Sequence, residues 1–175
     1  MNGIRIAAVA FAALILTGCS LTLFEGGSRG GSKGGSEPFS VSSSVFLAQT
    51  NQIRAEAGLP PVRWSGKLAQ IAQKQAKRIA KADRLSHDIG GSLPRRLMLS
   101  GYPWQAAAEN ISYGYNSSAD AMAGWINSPG HLKNLKNPRV TEIGVGAVRQ
   151  KNGKRRVFWA MILATPASTG PLRSR

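Results

Sequence analysis

Cys19 is the only cysteine in a chain of 175 residues, so no intrachain disulfide can staple the fold. Packing, hydrogen bonds or a bound ligand must hold it together, and that requires a sizeable core. The position of the cysteine is as restrictive as its solitude. Arg5 sets a positive charge ahead of the apolar run from Ile6 to Leu16, and the small residues Thr17 and Gly18 lead into Cys19. A basic start, a short apolar stretch and a small-residue cut site describe an export signal. The run is too short for a comfortable membrane span. Residues 1–18 are therefore read as a signal peptide and set aside from the fold.

Leu16-Thr17-Gly18-Cys19 resembles the lipobox of bacterial lipoproteins. The resemblance implies a lipid on the Cys19 sulfur, cleavage before it and acylation of the new amino terminus. Several acyl chains hold a protein at a membrane where one does not. By the same resemblance, Ser20 permits the outer membrane in a diderm host. Residues 19–43 then form a lipidated amino terminus and a Gly/Ser-rich linker. Glu25 to Ser36 repeats Gly-Gly-Ser units with almost nothing to bury, which predicts a flexible spacer. Ser40 to Ser44 either continues that linker or caps the first helix.

The chain carries 23 Lys+Arg against 8 Asp+Glu; loss of residues 1–18 removes Arg5 alone, leaving 22 against 8, or +14. Such a charge favours anionic partners, here phospholipid heads, acidic polysaccharide or cell-wall polymer, or it serves general solubility. Zinc-finger spacing and RNA-binding aromatic motifs are missing, so no specific nucleic-acid recognition is expected.

Residues 44–166 read as one globular domain, followed by a tail at 167–175. Val45 to Ala57 looks helical and stops at Gly58-Leu59-Pro60-Pro61. Ser65 can cap a second helix running to about Asp83, on which Leu68, Ile71, Ala72, Ala76 and Ile79 share an arc. Lys67, Lys74, Arg78 and Lys81 make a neighbouring cationic stripe, read as a solvated face. Ser92-Leu93-Pro94 opens a short third helix ending at Gly101. Ser117 or Ser118 can cap a fourth, which stops at Ser128-Pro129-Gly130. Ile143 to Val148 and Val157 to Leu163 are strand-like, with Asn152-Gly153 suggesting a tight hairpin turn between them. Ile111 to Tyr113 reads as another short strand. Helices first and an antiparallel hairpin last argue for an α+β fold.

Chemistry concentrates on few residues. His87 and His131 both sit in polar, loop-forming surroundings rather than on apolar helix faces. Glu109 stands midway between them, after three alanines, and a carboxylate so placed needs a partner if buried. Two imidazoles and a carboxylate can bind a divalent metal or share protons. The gaps of 22 and 22 residues between them form no local ligand motif. Glu142, just before a strand, belongs either to the same site or to a solvent-exposed strand end. Gly144 and Gly146 are expected to permit close packing or a bulge. Trp64, Trp125 and Trp159 read as packing residues. Ser86 next to His87 suggests a nucleophile and base, but neighbours on an extended chain point opposite ways, and no Gly-x-Ser-x-Gly elbow surrounds Ser86.

Several segments in order carry a resemblance: Asn51-Gln52-Ile53-Arg54, Leu59-Pro60-Pro61-Val62-Arg63-Trp64, Leu85-Ser86-His87, Ala108-Glu109-Asn110-Ile111, Trp125-Ile126-Asn127-Ser128-Pro129-Gly130-His131 and Glu142-Ile143-Gly144-Val145-Gly146. In that order the chain resembles the CAP superfamily of SCP-like domains over roughly Ser44 to Ala164. The resemblance implies a three-layer α-β-α sandwich around a small, mostly antiparallel sheet. It also implies a cleft in which His87, Glu109 and His131 take the places of family residues. The further glutamate of animal-type members is missing, with Asn127 or Ser128 in that region. Two functions follow as expectations. One is a tethered domain of the cell envelope that binds an anionic component or lipid through this cleft. The other is a divalent-metal-dependent hydrolase, with His87 and His131 holding zinc or magnesium and Glu109 acting as a ligand or behind one. A structural role in which the cleft is a relic is the third reading.

Overall fold

The structure, a computed structural model, describes residues 35–168. The expected signal peptide, the lipidated Cys19, the Gly-Gly-Ser run up to residue 34 and the tail from residue 169 lie outside the described residues. The elements follow in the order β1 (Ser36–Pro38), α1 (Ser43–Glu56), β2 (Arg63–Trp64), α2 (Gly66–Ala82), α3 (Leu93–Leu99), β3 (Trp104–Tyr113), α4 (Ser118–Ile126), α5 (Pro129–Leu135), β4 (Glu142–Gln150) and β5 (Val157–Pro166). The strands join in the order β1-β4-β5-β3, with β2 added in parallel to the start of β4. All other pairings are antiparallel.

Side-chain alternation along the central hairpin divides the core in two. Ile143, Val145, Ala147, Trp159, Met161 and Leu163 join a cluster with Phe46 of α1, Met122 and Trp125 of α4 and Leu135 of α5. Val148, Phe158, Ala160, Ile162 and Ala164 face the other way, onto Leu68, Ile71, Ala72, Ala76 and Ile79 of α2 and Leu97 of α3. Helices thus cover both faces, which is why β4 and β5 are buried almost without interruption. This is the α-β-α sandwich that the sequence led us to expect. Gly144 and Gly146 sit where α2 crosses β4: a Cβ on either would overlap the α2 backbone at Ala69 or Gln73. Their role is close approach.

Serines cap three of the helices, and the choices left open for the first and fourth fall on Ser42 and Ser117; Ser92 opens α3 without a side-chain cap bond. Ser42, Ser65 and Ser117 accept from the backbone N–H groups of Val45, Leu68 and Asp120 at 3.4, 3.4 and 3.1 Å. Lys67, Lys74 and Lys81 of the cationic stripe are exposed and Arg78 is half-buried.

Four details differ. The folded part begins before residue 44: β1 pairs with β4, placing Ser36 opposite Gln150, and Phe39 packs edge-on to Trp159 at 5.6 Å. Edge pairing uses main-chain groups and tolerates a proline such as Pro38, so linker-like composition conceals it. Second, the Ser128-Pro129-Gly130 segment both ends α4 and starts α5, because proline is favoured in a first helical turn. Third, β3 runs ten residues rather than three; its alanines lack strand propensity, and pairing with β5 imposes the extended form. Fourth, the hairpin does not turn on Asn152-Gly153. Gln150 N–H donates to the Arg156 carbonyl at 2.9 Å, closing a longer loop whose positive φ, 46°, falls at Arg155. Asn152 instead accepts from Lys154 N–H at 3.2 Å, and Lys154 and Arg156 both reach Asp83 at the end of α2.

Candidate functional site

β3 forms one border of the sheet and holds the site along it. Ala107 and Ile111 belong to the α2/α3 side, whereas Ala106 and Ala108 belong to the α1/α4/α5 side. By strand alternation Glu109 therefore faces α3 and Asn110 faces α5. Each recruits one histidine segment.

On the α3 side, the Glu109 side chain is 2% exposed. Its Oε1 lies 2.8 Å from Nδ1 of His87 and its Oε2 accepts from Arg96 Nη1 at 2.7 Å. Arg96, also 2% exposed, donates in addition to the carbonyls of Gly91 and His87 at 3.0 and 3.1 Å. One guanidinium thus neutralises the carboxylate and pins the loop that carries His87. A buried charge needs such pairing and hydrogen bonding together. The His87 side chain itself remains 56% exposed.

On the α5 side, Asn110 Nδ2 donates to the carbonyl of His131 at 3.2 Å. Asn134 Nδ2, one turn along α5, donates to Asn110 Oδ1 at 2.8 Å and to the Glu109 carbonyl at 3.2 Å. The His131 ring packs against Trp125 with centroids 6.4 Å apart. Two neighbouring strand residues, Glu109 and Asn110, therefore fix the two histidine-bearing segments from opposite faces of one strand.

The two imidazoles are driven in opposite directions. The Glu109 hydrogen bond, against a smaller desolvation effect, raises His87 above the ordinary value; burial, and then the charge of His87, lower His131. Such a split leaves one imidazole as the ready cation and the other as the neutral base. The linkage signs follow. The stabilisation from His87 is complete below the unfolded value of about 6.5 and is lost as pH rises through its raised folded value. The contribution of His131 is present above about 6.5 and is lost as pH falls from there towards its lowered folded value. NMR titration of the imidazole C–H signals should show His87 titrating above about 6.5 and His131 below it. Glu109→Gln should bring His87 down, and a His87 midpoint unmoved by that change would contradict the assigned cause.

Among the described residues, no group of three or more His, Cys, Asp or Glu side chains is placed to hold a metal ion. Glu109 spends both oxygens on His87 and Arg96, which leaves Nε2 of His87 and the ring nitrogens of His131 for a ligand. Glu142 belongs neither to this site nor to an exposed strand end. It is buried, paired with Arg63 and bonded by the Tyr102 hydroxyl, which donates to Oε2 at 2.7 Å. Burial alone would raise its carboxyl; hydrogen bonds from Tyr102, Arg63 and Ser65 outweigh that and hold it below the usual range. Burial and the same bond push the Tyr102 phenol well up. Asn127 and Ser128 serve as the caps between α4 and α5. Ser86 Oγ accepts from Asp88 N–H at 3.2 Å, which gives it a turn-forming role.

Sequence reasoning missed Arg96 and Asn134. Nothing local distinguishes Arg96 from Arg95 beside it, and the only available signal was the need of Glu109 for a cationic partner.

The model of the cysteine-rich secretory protein family matches residues 47–163. The chain is 35% identical over 113 residues to the uncharacterized membrane protein YlbC of Bacillus subtilis, covering 63% of this chain and 33% of that protein. It is 34% identical over 116 residues to the uncharacterized protein YkwD of the same organism, covering 63% and 45%. The chain thus spans less than half the length of these two relatives. Among solved structures it is similar to an extracellular SCP-domain protein from Bacillus anthracis, at 32% identity and a TM-score of 0.59, over 67% of this chain and 38% of that one. An outer surface protein of Borrelia burgdorferi shares the fold, at 16% identity and a TM-score of 0.63, over 74% and 98%.

Proposed function

The chain belongs to the cysteine-rich secretory protein (CAP) family, and from that premise we propose that it is a binding domain of the bacterial cell envelope. In this reading a lipid on Cys19 tethers it to a membrane, the outer membrane in a diderm host. The cleft of His87, Glu109 and His131 captures an anionic envelope component, a phospholipid head or a cell-wall polymer. The descriptions of YlbC as a membrane protein and of the Bacillus anthracis relative as extracellular support an exported location. Among the described residues no helix is long and apolar enough to cross a membrane.

One observation carries the binding reading: the negative group of the cleft is turned inward and its positive group outward. Glu109 is sealed between Arg96 and His87, while His87, its affinity for a proton raised, presents more than half of its side chain to solvent. An anion reaching the cleft meets an imidazole whose affinity for a proton is raised and whose carboxylate partner is already shared with Arg96. The basic surface of the chain steers such ligands in. Sedimentation of the detergent-solubilised full chain with anionic cell-wall fragments tests this. Binding should fall as salt is raised, and His87→Gln should weaken it by about tenfold, the worth of one charge-assisted hydrogen bond. Salt-insensitive binding, or binding indifferent to His87, would sink the proposal.

A second reading, divalent-metal-dependent hydrolysis, has one observation in its favour. Glu109 occupies Nδ1 of His87, the arrangement by which carboxylates orient metal-bound histidines, and His131 is held towards the neutral form that a ligand requires. The donor set does not fit a catalytic ion as it stands: two imidazoles fall short of three protein ligands, and magnesium prefers oxygens. Zinc uptake by the full chain, with His87→Ala and His131→Ala as controls, separates the readings. Uptake equal in all three forms removes the metal site.

A further inference from the structure

α3 has two unlike faces. Arg96 and Leu97 are 2% and 0% exposed, whereas Met98 and Leu99 are 67% and 70% exposed. Trp104, at the start of β3, is 36% exposed. Met98 and Trp104 line one shallow cavity of about 370 Å³ together with Tyr102, Pro103 and Ala167. Exposed apolar residues scattered singly need no explanation, but an adjoining group does. Arg95 stands three and four positions before Met98 and Leu99, hence on the same helix face. It is exposed and, among the described residues, in no salt bridge.

We propose that this patch, Arg95, Met98, Leu99 and Trp104, is where the domain rests on an anionic phospholipid surface. Each residue type suits a different depth. Leucine and methionine enter the boundary between headgroups and acyl chains. Tryptophan, apolar with one polar N–H, settles at the interface. Arginine pairs with lipid phosphate, and the excess of 22 Lys+Arg over 8 Asp+Glu that remains without residues 1–18 adds attraction to the anionic leaflet. The chain outside the described residues allows this contact. From Cys19 to Gly35 is 16 residues, an extended reach of about 50 Å. A domain of this size is narrower than that, roughly 35 Å across. A lipid at Cys19 therefore lets any face touch the membrane, and the patch selects which one does.

The contact also sets the attitude of the cleft. The inward face of α3 supplies Arg96, which grips Glu109 and the His87 loop. A helix seated on lipid by its outer face holds these groups at a fixed height above the membrane. The proposal stands independently of what the cleft binds.

The experiment places the full chain in phosphatidylglycerol vesicles with bromine on the acyl chains, and reads tryptophan emission. Trp125 and Trp159 are fully buried and Trp64 is half-buried, so the measurement is made in a Trp64→Phe background, where quenching is expected to come from Trp104 and to vanish on adding Trp104→Phe. It should also be lost in the Met98→Ser, Leu99→Ser double variant, whose replaced side chains are exposed and whose far-UV circular dichroism should be unchanged. Phosphatidylcholine vesicles should give weaker quenching. Absence of quenching, or quenching that persists in Trp104→Phe, overturns the proposal. Cross-linking between copies at Leu99→Cys without bromine quenching assigns the patch to a second copy of the chain and overturns it too.

Discussion

Replacing Arg96 with alanine is expected to destabilise the fold by about 3–5 kcal/mol, the cost of leaving a buried charge without its partner. Glu109 is as buried as Arg96, and after the substitution its only remaining ion-pair partner among the described residues is the half-exposed His87. The loop from Gly91 back to His87 also loses the two hydrogen bonds that Arg96 gives it. Urea unfolding measures the loss. Part of any Arg→Ala effect is lost packing, so the discriminating comparison is the double variant Arg96→Met, Glu109→Leu. Exchanging the whole pair for apolar groups of similar volume should be far milder than either single change. A double variant as unstable as the sum of the singles would show that the pair is not what the site depends on. A second readout follows from the electrostatics. Arg96 opposes protonation of His87, so its removal should raise the His87 midpoint further.

Arg54 is expected to be comparably sensitive, for a different reason. Its side chain is fully buried and makes no ion pair among the described residues. It donates instead to four backbone carbonyls, those of Pro60, Leu135, Asn137 and Val140, at 2.8, 3.0, 2.8 and 3.2 Å. Three of the four lie at the end of α5 and in the turn that leads to β4, where carbonyls lack helical partners and a cation is favourably placed. Arg54→Met keeps much of the volume but takes the side-chain donor from the carbonyls of Pro60, Leu135 and Val140, while that of Asn137 keeps the Val140 N–H at 3.4 Å. Each buried acceptor left unpaired costs about 1–3 kcal/mol, so a total near ~4 kcal/mol is expected even with partial relaxation. Because α5 carries His131, amide hydrogen exchange should speed up through residues 129–140 before the rest of the chain. Uniform loss of protection, or a change below about 1 kcal/mol, would show that water replaces the guanidinium without difficulty.

Both predictions concern residues that the sequence presented as ordinary arginines. Arg54 appeared only as the last member of the segment Asn51-Gln52-Ile53-Arg54, and Arg96 did not stand out at all. The histidines and Glu109 were legible because they are scarce, sit in loop-like or alanine-flanked positions, and fall in the order of a known family. Glu142 was equally visible, yet its role was not. Whether a carboxylate before a strand meets a cleft, solvent or a tyrosine depends on which element lies opposite, here Tyr102, 40 residues away. The same limit explains β1 and the alanine-rich half of β3, which owe their extended form to pairing rather than to their own side chains.

Local pattern alone marked the starts of α2, α3 and α4, the two strands of the final hairpin and a backbone role, close packing or a bulge, for Gly144 and Gly146. These follow from repeat periods, hydroxyl caps and the absence of a side chain, all readable over a few neighbouring residues. Tertiary structure alone decided which charges meet. His87 and Arg96 find Glu109 across 22 and 13 residues, and Arg54 finds its farthest carbonyl across 86. No periodicity encodes such distances. The choice falls to buried polar groups, which must find partners once packing has removed water.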